Sequence, residues 1–406
     1  MSAGRIDRRS RIAAVALLAL LAALLAIRSG DPWRYLHDDN GRRYSSYGRT
    51  HLTLGLARTR GFDFFYDPRD GRLVPYGHHP PALGLLLAGW FFATGHDGPR
   101  AARALAAIFH LASAALVIGL LRKHYPGAAG LIAAVAFAVV PMSAFFGKMV
   151  NFEPFVLPFL IGVVVSYWRW AEGKGRGWIG LAALLLAAGT LVDWPALLAV
   201  PVVAADTARR WWRSEGRAYL GVSLGACVLG LGVGGAVAAW AGAGVGSSEL
   251  TAALSYRLYL HGDYAWWRLV GKLVDYNRRY FTEPVLVASV AVAGILVRDG
   301  WRGVSFSPRA RLLALLGAVG ILPVILFPSS ARYHAYCQFY LLPYATLALA
   351  DMLERVGARL APRPRTLLYA GVVVWIVTAS AITLHYRYTN PSGHVAKTVQ
   401  ELAPYL

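Results

Sequence analysis

Apolar runs of membrane-crossing length recur along this 406-residue chain, beginning with "IAAVALLALLAALLAI" at residues 12–27. In lipid, only helices and closed barrels satisfy every backbone N–H and C=O. The short alternating segments that mark a barrel are absent. Charged residues make up 15% of the chain, against roughly a quarter in soluble domains, and the mean hydropathy is +0.46. The expected fold is an all-α polytopic membrane protein, read as one domain over residues 1–406 with no separate soluble domain.

Eleven spans are expected near residues 12–28, 100–121, 128–146, 154–171, 178–192, 195–208, 217–240, 284–298, 311–328, 336–353 and 366–384. The stretch "PPALGLLLAGWFFAT" (80–94) is shorter than the roughly 20 residues a span needs. It reads as an interfacial or re-entrant helix. Loop charge decides the point. With that helix outside, "RIDRRSR", "RKHYPG", "EGKGRG", "RRWWRSEGR", "RDGWRGVSFSPRAR" and "ERVGARLAPRPR" all face the cytoplasm and hold 20 of the 41 Lys and Arg. The short external turns carry Lys148 in one, nothing basic around Asp193, and Arg332 in another. A spanning 80–94 helix would invert every later loop. The positive-inside rule therefore puts the N-terminus inside and the C-terminus outside. The net charge of +20 is topological on this reading, and nucleic acid is not an expected partner. No small-x-small cleavage site follows the first run, so it is expected to remain as a span. Cys227 and Cys337 fall at different depths, which argues against a disulfide framework or a cysteine metal site.

Two external loops are too long to be connectors, 28–99 and 241–283. The first holds nine arginines and six aspartates before Pro80. Within it, "RRYSSYGRTHLTLGLARTRG" suits an amphipathic helix ending at Gly61 and "YDPRDGR" a turn. The aromatics and mixed charges of "YRLYLHGDYAWWRLVGKLVDYNRRYF" suit a helix lying in the interface.

Polar residues gather at the outer ends of the spans. Asp38 and Asp39 are either solvated acids paired with Arg42 and Arg43, or a carboxylate general base with a supporting neighbour. His78 and His79, ahead of Pro80 and Pro81, are either a polar first turn or imidazoles facing an anion at a helix N-terminus. Lys148, Asn151 and Glu153 share one turn, where Glu153 is either a cap or a second active-site carboxylate. Asp193 reads as a cap. Arg332, the lone arginine of its short turn, reads as an anion ligand beside Tyr333 and His334. Asp206 and Asp351 read as structural, and no acid sits at mid-membrane, where transporters place them. Carboxylates from two loops and cations from three suit a lipid-borne phosphate. A polyprenyl-phosphate sugar fits, its tail among the spans and its phosphate on cations, while a carboxylate deprotonates the acceptor attacking the anomeric carbon.

The acid pair after the first span, the "HHPP" step before a short helix, the acid-Pro turn after the third span and "ARYHAYCQFYLLPYATLALA" together resemble GT-C class membrane glycosyltransferases. The resemblance is strongest to the branch of protein O-mannosyltransferases and the lipid A aminoarabinose transferase, over residues 38–158 and again over 332–350. It implies an inverting transfer from a polyprenyl-phosphate sugar on the outer face of the cytoplasmic membrane, to a lipid, glycan or protein acceptor. By that resemblance Asp38 matches the catalytic acid, Asp39 the acid after it, Glu153 the second-loop acid, and His79 a phosphate-binding lysine. Phosphate contacts are also expected from His78, Arg42, Lys148 and Arg332. Tyr44, Asn151, Tyr333 and His334 are expected near the substrate. Asn151 stands where some GT-C enzymes carry a metal-binding acid, so no cofactor is assigned; a divalent metal, if used, would take Asp38, Asn151 and Glu153. The alternative is a multi-pass transporter or flippase of a lipid-linked substrate. With Cys227 and Cys337 replaced by serine, a cysteine introduced at Gly98 should react with an impermeant thiol reagent from the external side; labelling from the cytoplasm would refute the non-spanning helix.

Overall fold

A computed structural model of the protein describes residues 8–67, 72–213, 216–245, 247–258 and 265–390. In chain order its helices are α1 Arg8–Ala26, α2 Asp38–Leu54, α3 Leu56–Thr59, α4 Ala82–Thr94, α5 Pro99–His124, α6 Ala128–Val139, α7 Pro141–Ala144, α8 Phe152–Ala171 and α9 Gly177–Val192. They continue with α10 Ala199–Trp212, α11 Arg217–Val245, α12 Ser247–Leu258, α13 Trp266–Phe281, α14 Glu283–Trp301, α15 Pro308–Leu326, α16 Pro328–Tyr333, α17 Leu342–Gly357 and α18 Pro362–Thr389. The protein is a multi-pass membrane protein. Six described helices, α5, α8, α11, α14, α15 and α18, have the length and hydropathy to cross a bilayer. The α6–α7 pair forms a seventh candidate, bent by 44° where Val140 precedes Pro141. Each of the eleven expected stretches carries a helix, but α1, α9, α10 and α17 do not reach spanning length and hydropathy on their own.

Side-chain contacts divide the bundle into two ends. At one end Arg122 reaches Ser10, Trp168 donates to the Pro308 carbonyl, Arg210 donates to the Ala171 carbonyl, and Arg311 pairs with Glu172. Asp206 and Asp351 belong here too, Asp206 accepting from Tyr167 at 2.6 Å and Asp351 pairing with Arg355, so both are structural. At the other end Arg28 donates to the Tyr388 carbonyl, Arg103 to the Ser29 carbonyl, Lys148 to the Ile27 carbonyl, and His79 meets Asp193. The chain reverses at Asp193, where α9 stops and a 3-10 turn, Trp194–Leu198, leads into α10. Helix α4 begins just after His79 and ends where Trp90 donates to the Ala101 carbonyl, so it starts and finishes at the same end. Its 13 residues are also too short for a hydrocarbon core of about 30 Å.

The long first loop differs from its expected form in two ways. Its helix starts earlier, at Asp38, and breaks at Gly55, whose φ of 77° interrupts it before the expected end at Gly61. The expected turn is the tip of a hairpin. Strand β1, Asp63–Asp67, pairs antiparallel with β2, Arg72–Tyr76, with Asp63 opposite Tyr76; residues 68–71 lie outside the described set. Aromatic "DFFYD" and branched "RLVPY" are strand-forming sequences that the turn signal between them concealed.

Two glycines bring α4 close to its neighbours, Gly48 of α2 against α4 and Gly84 of α4 against Asp63 of β1. A Cβ at Gly48 would lie 2.9 Å from that of Leu87, and one at Gly84 would meet the Asp63 carboxylate. That carboxylate is buried and bonded to His51 Nε2 at 3.0 Å, while His51 Nδ1 meets Thr59 Oγ1 at 3.0 Å. Burial pushes the Asp63 pKa up to about 6, with His51 opposing. The Asp63 carboxylate thus locks the hairpin to α2 and leaves no room for a side chain on α4. Gly84→Ala is expected to destabilise the folded chain by about 1–3 kcal/mol, seen as a lower unfolding midpoint in detergent. Gly89→Ala, where nothing lies within 4 Å of the added carbon, should not; equal midpoints for the two variants would reject this packing.

Candidate active site

Asp38 opens α2 and is buried. Its Oδ2 accepts the backbone N–H of Arg34 at 3.0 Å and of Tyr35 at 2.8 Å, and Nη2 of Arg103 at 2.8 Å. Arg103, also buried, donates through Nη1 to the carbonyls of Ser29 (2.9 Å) and Asp31 (2.6 Å) and lies 4.5 Å over the Trp33 ring. Burial raises the Asp38 pKa, opposed by Arg103 and the two backbone donors. One guanidinium therefore fixes the exit from α1 and the start of α2 together.

Successive helical residues point about 100° apart, so Asp39 cannot follow Asp38 inward. It is half-buried and makes no hydrogen bond or ion pair with another described residue. Around it, Asn40 donates to Tyr336 Oη at 3.1 Å, and the His37 ring stands edge-on to Tyr336 at 4.8 Å and to His334 at 5.3 Å. His334 stacks on Tyr336 at 4.8 Å. Burial lowers the His37 pKa to about 3, and burial lowers that of His334 also, with Asp39 partly offsetting it.

Cys337 and Tyr340, from the same turn as Tyr336, line a cavity of about 350 Å³. His79, Glu153, Asp193 and Arg257 form its polar end, and residues such as Leu197, Leu254, Pro323 and Phe327 its apolar walls. His79 is stacked on Phe152 at 3.9 Å. Its Nδ1 lies 2.8 Å from Asp193 Oδ1 and its Nε2 lies 3.1 Å from Arg257 Nη2. A guanidinium only donates, so Nε2 is the acceptor and the ring proton sits on Nδ1, directed at Asp193. His79 is thus neutral between a cation and an anion, in keeping with a pKa depressed by burial. Asp193 also caps the 3-10 turn, accepting the Trp194 N–H at 2.9 Å, so it is both a cap and part of this cluster. Glu153 stands in the first turn of α8; among the described residues its buried Oε2 has no hydrogen-bond partner, nor has the buried hydroxyl of Tyr340, which lines the same cavity.

The other expected residues lie elsewhere. Lys148 is buried with its Nζ on the Ile27 carbonyl and 4.7 Å over the Tyr388 ring, where it joins α1 to α18. Arg332 lies 4.8 Å over the ring of Tyr333, which is exposed, and neither lines the cavity. His78 does line it, and its carbonyl accepts Trp194 Nε1–H at 2.9 Å. Tyr44 is buried in the wall between Tyr47 and Phe152. Asn151 is the buried residue before α8. Arg42 faces a separate cleft on α2. Among the described residues no three His, Cys, Asp or Glu come together in a metal-holding group. Asp38 pairs with Arg103 through Oδ2. Arg103 and Arg257 were not singled out from the sequence. Arg103 offers one faint signal, the second of two arginines at the start of the otherwise apolar α5.

Residues 78–233, less than half of the chain, match the family model of dolichyl-phosphate-mannose-protein mannosyltransferases. That segment holds His79, Glu153 and Asp193 but stops short of Arg257. No curated protein matches the chain in sequence. Among solved structures, the chain is similar to ArnT from Cupriavidus metallidurans bound to undecaprenyl phosphate, at 14% identity and a TM-score of 0.62, over 91% of this chain and 70% of that one. It is also similar to the apo oligosaccharyltransferase of Archaeoglobus fulgidus, at 14% identity and a TM-score of 0.61, over 95% of this chain and 56% of that one. A third similar structure is AglB of the same archaeon with an inhibitory peptide and a dolichol-phosphate, at 14% identity and a TM-score of 0.58, over 93% and 55%. The chain thus spans little more than half the length of the archaeal proteins. At such identities the likeness is one of fold.

Removing one partner of a buried ion pair leaves the other charge uncompensated. Arg103→Met is therefore expected to cost about 3–5 kcal/mol, read as a lowered unfolding midpoint in detergent. Asp38→Asn added to Arg103→Met should recover part of the loss. An unchanged midpoint in Arg103→Met would show that the pair does not anchor α2.

Proposed function

On the premise that this chain has the fold of the GT-C class membrane glycosyltransferases, we propose that it transfers a sugar from a polyprenyl-phosphate donor to an acceptor hydroxyl or amine. The single observation that carries this reading is the cavity. It is amphiphilic: apolar walls from the bundle run up to a polar end, where Arg257 meets His79 and two buried oxygens, on Glu153 and Tyr340, lack partners. Buried polar atoms are paired in all but a few cases. Two unpaired oxygens on residues lining one cavity are available to the polar groups of a ligand. A sugar has hydroxyls for Glu153 and Tyr340, and a phosphate has oxygens for Arg257.

The two aspartates then take different roles. Asp38 is a positioning residue, its Oδ2 taken by Arg103 and two backbone N–H groups. Asp39, unpaired and half-buried beside Tyr336, is the base. The acceptor oxygen or nitrogen attacks the anomeric carbon and gives its proton to Asp39. The bond from that carbon to the phosphate oxygen breaks, and the polyprenyl phosphate leaves with the electron pair. Its added negative charge is met by Arg257, which His79 and Asp193 hold in place. A single displacement inverts the anomeric centre. The phosphate-binding role expected of residue 79 itself thus passes to Arg257, since a neutral imidazole accepting from a guanidinium offers no positive charge. The loop charges support a site on the outer face of the cytoplasmic membrane.

The test is turnover of undecaprenyl-phosphate-linked sugars by the purified full chain in lipid nanodiscs, followed as release of undecaprenyl phosphate. Asp39→Asn should reduce turnover roughly 10²–10⁴-fold while the donor still binds. Arg257→Gln should weaken donor binding itself by roughly tenfold or more. Wild-type turnover in Asp39→Asn would remove the proposed base, and undiminished donor binding in Arg257→Gln would remove the proposed phosphate ligand.

A further inference from the structure

A second concavity, of about 720 Å³, lies on a face of α2 other than the one anchored by Asp38. The α1–α2 connection walls it with Gly30 and Trp33, β2 with Leu73, and the start of α5 with Pro99. From α2 come Arg42, Ser46, Arg49, Thr50 and Thr53. No acidic side chain occurs among the described residues that line it. Nη1 of Arg49 reaches only a backbone oxygen, that of Asp97, at 3.3 Å. Arg42 makes no ion pair with another described residue, and its Nε is buried without a partner. Burial lowers the Arg42 pKa, and the nearby Arg43 and Arg49 lower it further, with Asp39 opposing. Arg100 adds a third guanidinium at the rim, packed across Gly30.

The register of α2 ties this cleft to the proposed chemistry. Asp39, Arg42, Ser46, Arg49 and Thr53 follow one another at intervals of three or four residues and so form one stripe along the helix. Asp39 heads the stripe, about 15 Å along the helix axis from Arg49. A ligand held along the guanidiniums and hydroxyls would therefore end at the unpaired carboxylate. Two converging guanidiniums with hydroxyls between them select an anion that also carries hydrogen-bonding groups.

We propose that this cleft is the acceptor site, and that the acceptor is an anionic glycan or glycolipid headgroup whose hydroxyl is delivered to Asp39. The inference rests on the glycosyl-transfer reading for the role of the bound molecule, but not for its binding. Arg42 thereby becomes a ligand of the acceptor and not of the donor phosphate.

The test uses the full chain in phosphatidylcholine nanodiscs and two probes, fluorescent oligogalacturonate and a neutral maltooligosaccharide of equal length. Oligogalacturonate should bind and the neutral probe should not. Arg42→Gln with Arg49→Gln should weaken oligogalacturonate binding roughly tenfold or more, while Arg359→Gln with Arg363→Gln, an equal loss of charge at exposed positions outside the cleft, should leave it unchanged. Undecaprenyl phosphate binding, read as a thermal shift, should be the same in all three proteins. Including phosphatidylglycerol in the discs separates the sources: displacement of the probe by that lipid points to a headgroup, and no displacement to a glycan, either within the proposal. Absence of oligogalacturonate binding, equal weakening in both double variants, or a parallel loss of undecaprenyl phosphate binding in Arg42→Gln/Arg49→Gln would overturn it. If the wild-type chain binds oligogalacturonate through Arg42 and Arg49 but does not bind undecaprenyl phosphate, the glycosyl-transfer reading fails and the anion site stands.

Discussion

The buried contact between Asp38 and Arg103 is the constraint on which the rest of this end of the molecule depends. Arg103 is drawn into a desolvated position where one carboxylate, two backbone carbonyls and the Trp33 ring compensate it. Meeting that demand pins the chain leaving α1 against the start of α5 and fixes where α2 begins. The rotation of α2 then follows. The next residue turns away by about 100°, so Asp39 stands without a partner because Asp38 has one. Asn40 meets Tyr336, the cationic stripe faces its cleft, and Gly48 presses α2 onto α4.

A second cluster works by a similar economy of partners. Asp193 ends one helix, caps the turn into the next, and fixes the proton of His79. The imidazole in turn holds Arg257, which arrives from α12. Three elements far apart in sequence are thereby set around Glu153 and Tyr340, each with a buried oxygen that has no partner among the described residues. The two clusters are joined through the turn after α16, where Tyr336 meets Asn40 and the next residue, Cys337, lines the cavity.

Much of the fold was legible in the sequence because hydropathy and loop charge are read residue by residue. The non-spanning 80–94 helix is one example, since its length and the charges of the later loops set it apart. The break at Gly55 and the β1–β2 hairpin were hidden, because polar turn residues dominated a short segment whose strands are each five residues long. At the site the sequence offers a set of acids and cations, and the proposed roles rest on which of them the fold pairs. "DD" names two carboxylates but not which one finds a buried arginine, since Arg103 sits 65 positions away in an apolar stretch. Lys148 had the charge of a phosphate ligand, yet the Ile27 carbonyl and the Tyr388 ring hold it. Arg257 lay in a loop already rich in charges, and only its approach to His79 distinguishes it.

The central claim is that the cavity between α8, α12 and α15 receives the phosphate end of a polyprenyl chain. A cryo-electron microscopy map of the full chain in nanodiscs with undecaprenyl phosphate tests it most directly. The account predicts phosphate density within hydrogen-bonding distance of Arg257, with the lipid tail running along the apolar wall by Leu254 and Phe327. Phosphate density at Arg332 or in the Arg42–Arg49 cleft, with the cavity empty, would contradict it.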